Sequence, residues 1–80
     1  MNNTIKIIIE IGKLENKGYC AKISKNLKIT YNNAHIIIKK LISKGLVRKY
    51  KNKKRKLLYL NPKGWSGYYA AIKLKELGLK

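Results

Sequence analysis

Eighty residues carry 20 Lys and Arg against three Glu, a formal net charge of +17. That length holds one small domain, and a charge so far beyond the needs of solubility implies a polyanionic partner: DNA, RNA or an anionic membrane surface. A single cysteine, Cys20, excludes an internal disulfide and fits a reducing cytosol; no apolar run reaches membrane-spanning length, and the first residues lack a secretory-signal layout.

In chain order, Thr4 can N-cap a first helix over residues 4–16. Ile5, Ile8, Ile9 and Gly12 form one stripe on it, and Ile7, Ile11 and Leu14 form a second. A small core cannot bury both, so one stripe is expected to face another subunit. Lys17-Gly18 ends this helix. A short second helix follows over residues 20–27, with Cys20, Ile23, Ser24 and Leu27 inward. Lys28-Ile29 is a tight turn, with Ile29 as the plug between helices.

Thr30–Gly45 reads as a third helix with both ends marked. Thr30 is the N-cap, and Gly45 is placed for a left-handed C-terminal turn beside Lys44. Ala34, Ile37, Ile38, Leu41 and Ile42 recur at three- and four-residue spacing and make the inner stripe. The outer face carries Asn32, Asn33, Ile36, Lys39, Lys40 and Ser43. Asn and Lys are side chains that reach base edges and phosphates.

Beyond Gly45 the period changes. Leu46–Tyr50 and Leu57–Asn61 are β-prone runs on either side of Lys51–Lys56, and seven of the nine residues from Arg48 to Lys56 are basic. This predicts a hairpin over residues 46–61 with a cationic tip. Asn61-Pro62 then caps and starts a last helix over residues 62–77. Trp65, Tyr68, Tyr69, Ile72 and Glu76 mark one side of it, and Ala71, Leu74 and Leu77 another. Apolar residues on both sides point to an intersubunit role. Trp65, Tyr68 and Tyr69 can stack on bases, but at helical spacing they fit core or dimer contacts better. The predicted class is α+β, mostly α, in the order helix, helix, helix, strand, strand, helix, as one domain over residues 1–80.

No catalytic constellation is present: there is no Asp, three scattered Glu, and no glycine-rich phosphate loop. His35 has no acidic or histidine neighbour in sequence, and Cys20 alone completes no metal set. His35 therefore reads as a partly exposed helix residue and Cys20 as a small packing residue. No enzyme activity, cofactor, metal or small-molecule effector is expected.

Three segments in this order resemble the winged helix-turn-helix domains of prokaryotic regulators of the MarR-like, PadR-like and ArsR-like kind. They are Tyr19–Thr30 for the turn motif, Ile38–Val47 (Ile-Lys-Lys-Leu-Ile-Ser-Lys-Gly-Leu-Val) for the end of the recognition helix, and Leu60-Asn61-Pro62-Lys63-Gly64 for the step into the last helix. One departure stands at Lys28, where such turns often carry Gly. The resemblance implies a recognition helix in the major groove, a wing along the backbone or minor groove, and a homodimer.

On that footing Thr30, Tyr31, Asn32, Asn33, His35, Ile36, Lys39 and Lys40 are expected at the DNA on the recognition helix. Arg48, Lys51, Lys53, Lys54, Arg55 and Lys56 are expected there from the wing, and Lys22, Lys25 and Lys28 at the backbone. Arg55 is the candidate for minor-groove insertion. Ile7, Ile11, Leu14, Tyr68, Tyr69 and Ile72 are expected to form the dimer. The leading expectation is a cytoplasmic, nucleoid-associated regulator that binds duplex DNA by sequence. A chromatin-like protein of low specificity and an RNA- or ribosome-associated module are the alternatives, while the caps and turns argue against a membrane-surface peptide.

Overall fold

The computed structural model describes residues 3–15, 17–52 and 55–78, the side chains of Asn52 and Arg55 excepted. The elements run α1 (Asn3–Lys13), α2 (Cys20–Leu27), α3 (Tyr31–Ser43), β1 (Val47–Asn52), β2 (Arg55–Leu60) and α4 (Pro62–Glu76). This is the α+β order read from the sequence. β1 and β2 pair antiparallel, with Val47 opposite Leu60, Lys49 opposite Leu58, Lys51 opposite Lys56 and Asn52 opposite Arg55.

The core draws on all three N-terminal helices and the hairpin. Ile7, Ile8 and Ile11 of α1 meet Ile23 of α2, Ala34, Ile38 and Leu41 of α3, and Val47, Leu58 and Leu60 of the hairpin. Trp65 and Tyr68 pack onto this cluster from α4. Ile7, Ile11, Ile23 and Val47 are fully buried, each contributing about 1.5–3 kcal/mol of transfer free energy. The expected dimer role of Ile7 and Ile11 is therefore corrected: their stripe faces the protomer's own core. Leu14 is half-buried against the same cluster.

α1 stops at Lys13, short of residue 16, which lies outside the described residues. Glu15 takes a left-handed φ of 49°, and the chain then straightens so that Gly18 bridges Leu58, whose N–H donates to the Gly18 carbonyl at 2.8 Å. Pairing with the hairpin thus ends a pattern that local periodicity would have carried on. Glu10 on α1 accepts a 3.0 Å hydrogen bond from Asn26 Nδ2 on α2.

α2 and α3 end by the same device. After α2, Lys28 is left-handed (φ 57°, ψ 42°) and the Ile29 N–H donates to the Ser24 carbonyl at 3.0 Å. After α3, Gly45 is left-handed (φ 75°) and the Leu46 N–H donates to the Leu41 carbonyl at 3.0 Å. Each six-to-one bond satisfies a carbonyl that the helix end leaves open. Each is followed by an apolar residue, Ile29 or Leu46, packed on the core. Lys28 thus keeps the turn geometry that glycine would supply.

Asn61 ties the hairpin root to α4. Its side chain accepts from the Gly64 N–H at 2.9 Å, its Nδ2 donates to the Gly45 carbonyl, and its N–H donates to the Leu46 carbonyl at 3.3 Å. Gly64 sits so close to that Leu46 carbonyl that a Cβ would collide with backbone.

Candidate nucleic-acid interface

α3 is held by its inner stripe and its caps. The Thr30 Oγ1 accepts from the Asn33 N–H at 3.1 Å, which fixes where the first turn begins. With Ala34, Ile38 and Leu41 inward, the outer face is determined by the helical period. Asn32, Asn33, His35, Lys39 and Lys40 are all exposed there. Tyr31 is 56% exposed and Ile36 50% exposed, an unusual amount of apolar surface to leave in water at the centre of a polar face. Tyr31 and His35 lie one turn apart with their rings nearly parallel, 8° between planes and 6.1 Å between centroids.

The hairpin stands beside this helix. Tyr19, Cys20 and Ala21 at the start of α2, Tyr31, His35, Lys39 and Ile42 of α3, and Lys49, Lys56 and Leu58 of the strands line a groove of about 570 Å³. Three cations therefore converge on one cleft. Burial raises the Cys20 thiol above its ordinary value, so at neutral pH it is protonated and poorly nucleophilic. Its Sγ approaches the Tyr31 carbonyl at 3.9 Å, a packing contact between α2 and α3. No cluster of three or more His, Cys, Asp or Glu occurs among the described residues.

Strand alternation sorts the wing cations. Val47, Lys49 and Lys51 share a face with Leu60, Leu58 and Lys56; Arg48, Tyr50 and Tyr59 are on the other face. Lys49 and Lys56 thus lie on the side of the hairpin that faces α3, and Lys51 continues their row. Arg48 does not; it lies on the opposite face of the hairpin, with Tyr50 and Tyr59. Lys51 and Lys56 are strand residues, not tip residues. Lys53, Lys54 and the Arg55 side chain lie outside the described residues. Lys49 was absent from the expected interface, yet counting by two outward from the buried Val47 identifies it.

Electrostatically the surface formed by α2, α3 and the hairpin is cationic. The three acids are Glu10, Glu15 and Glu76, so the whole stretch from residue 16 to 75 contains none. Lys51 directly faces Lys56, an arrangement that disfavours the hairpin by like-charge repulsion and that a bound anion would relieve. Lys22, Lys25 and Lys28 are exposed on α2 and the turn after it, extending the cationic surface across the helix-turn-helix.

No family model matches the sequence, and no curated protein matches it. Solved structures do. The chain is similar to the transcriptional regulator SlyA, with a TM-score of 0.86, 20% identity, 96% of this chain and 56% of that one covered. It is similar to S. aureus MepR in a DNA complex, with a TM-score of 0.87, 17% identity, and 98% and 58% covered. It is also similar to Streptococcus pneumoniae FabT in complex with DNA, with a TM-score of 0.83, 19% identity, and 94% and 54% covered. The chain thus spans little more than half the length of these proteins. Its fold is the winged helix-turn-helix of MarR-type transcriptional regulators.

Proposed function

We propose that this chain binds duplex DNA and regulates transcription from the cytoplasm, with α3 in the major groove and the β1–β2 hairpin along the backbone. One observation carries the reading: the exposed face of α3 presents Asn32, Asn33 and Ile36, and cations of α2, α3 and the wing surround it with no acid among them. A major groove about 12 Å wide admits a helix, Asn pairs bidentately with adenine, and an aliphatic side chain meets a thymine methyl. Lys predominates over Arg, 18 to 2, which suits point-charge contact with phosphates. MepR and FabT, to which the chain is similar in fold, are each seen in complex with DNA, which supports a DNA partner by analogy.

The reading includes a homodimer. Tyr69 and Leu77 of the last helical segment are 65% and 64% exposed and Leu74 is 39% exposed, apolar surface that a second copy would cover. With Ile7 and Ile11 committed to the core, the dimer rests on α4. A chromatin-like role with little sequence preference is the second reading, favoured by the cation excess and the Lys51–Lys56 juxtaposition.

Salt titration tests the proposal. If a dimer neutralises about 6–10 phosphates, log K for duplex DNA against log salt falls with a slope of about −5 to −9. Duplex RNA competes poorly, because its deep, narrow major groove excludes α3. A slope near zero, or equal competition by duplex RNA, overturns the proposal.

A further inference from the structure

The hairpin side turned away from α3 carries a second surface with its own chemistry. Tyr50, 40% exposed, and the half-buried Tyr59 are diagonal neighbours across the strands, with ring centroids 5.4 Å apart and planes at 59°. Arg48 is directly opposite Tyr59. A shallow groove of about 560 Å³ continues from Arg48 and Tyr59 to Pro62 and Lys63. Aromatic faces between fixed cations, with no acid in residues 16–75, are complementary to bases joined by phosphates. A duplex hides its base faces, whereas a single strand offers them.

We propose that the outer face of the wing binds unpaired deoxynucleotides, a base stacking on Tyr50 while Arg48 and Lys63 meet the adjoining phosphates. Charge alone would hold any polyanion; the ring adds attraction that only a base can satisfy, and it tolerates any base because each has a π-face. The surface is separate from the α3 groove, since alternation along the strand puts Arg48 and Tyr50 opposite to Lys49 and Lys51. A strand held here would lie beside a duplex held by α3.

The test compares labelled dT12, an abasic oligomer of the same length and rU12 by fluorescence anisotropy, with and without saturating duplex. Wild-type protein is expected to bind dT12 about tenfold more tightly than the abasic oligomer, and the preference persists with duplex present. Tyr50→Ala abolishes the preference while leaving duplex affinity within twofold, and Tyr50→Trp restores it. Should Tyr50→Ala fail to fold by far-UV circular dichroism, Tyr50→Leu takes its place. Equal binding of dT12 and the abasic oligomer overturns the proposal, and tighter binding of rU12 than dT12 reassigns the platform to RNA. Duplex affinity is read separately, so failure of the α3 interface leaves this comparison intact.

Discussion

At the scale of single residues, the turn between α2 and α3 depends on a lysine in a conformation that side chains resist. Lys28 sits at φ 57°, and the left-handed region costs an L-residue about 1–2 kcal/mol. Glycine removes that cost but loses part of the gain to its freer unfolded chain. Lys28→Gly is therefore expected to raise unfolding stability by about 0.5–1 kcal/mol in urea titration, with an unchanged denaturant slope. It also removes one cation beside the proposed DNA-facing surface. Local chemistry of this kind was partly legible. The Thr30 and Asn61 caps follow from a side-chain oxygen beside free N–H groups, and both occur as read. The tie from Asn61 to the end of α3 was not, because it joins residues 16 apart.

At the scale of elements, α3 and the wing should fail differently. Asn32 and Asn33 are uncharged and stand in the first turn of α3. Ala at either is expected to cost roughly 1–3 kcal/mol on a preferred site and almost nothing on random DNA, with the salt slope unchanged. Ala at Lys49, Lys51 or Lys56 should weaken binding to all duplexes alike and flatten the slope by about 0.9 per lost phosphate contact. If both Asn variants bind every duplex like the parent, the chromatin-like reading takes precedence. The α3 stripe was legible because period alone sets it. The wing was less so: alternation groups Lys49 with Val47 and Arg48 with Tyr50, but which face turns to α3 is decided by the burial of Val47 and Leu58 in the shared core.

The same scale decides the dimer. α1 carries two stripes, and the protomer buries residues of both, Ile7 and Ile11 of one and Ile8, Ile9 and Gly12 of the other, so the expectation that one stripe would be left for a second subunit does not hold. Ile11→Glu should accordingly unfold the protomer, because it buries an unpaired charge. Tyr69→Glu with Leu77→Glu changes only exposed positions. It should leave the far-UV spectrum intact while halving the mass seen by sedimentation at micromolar concentration, and should weaken duplex binding through loss of the second half-site. A folded Ile11→Glu protein, or a Tyr69→Glu/Leu77→Glu protein that sediments like the parent, would refute this assignment.

At the scale of the whole molecule, charge implied a polyanionic partner, periodicity gave the element order, and the resemblance of three segments to winged helix-turn-helix regulators supplied the fold. The number and type of elements follow from periodicity and turn residues; their mutual placement follows from a core shared by three helices and a hairpin. Placement is what makes an interface, bringing Lys39, Lys49 and Lys56 to one groove from three separate elements. In the proposed complex, α3 and the α3-facing side of the wing together meet duplex DNA. Backbone NMR of the ¹⁵N-labelled protein, titrated with a duplex at physiological salt, tests this most directly. Amides from Tyr31 to Lys40 and those of Lys49, Lys51 and Lys56 should shift together and saturate together, while those of the α4 core face, Ala71 among them, stay in place. Shifts confined to α4, or absent from α3 at saturating duplex, would contradict it.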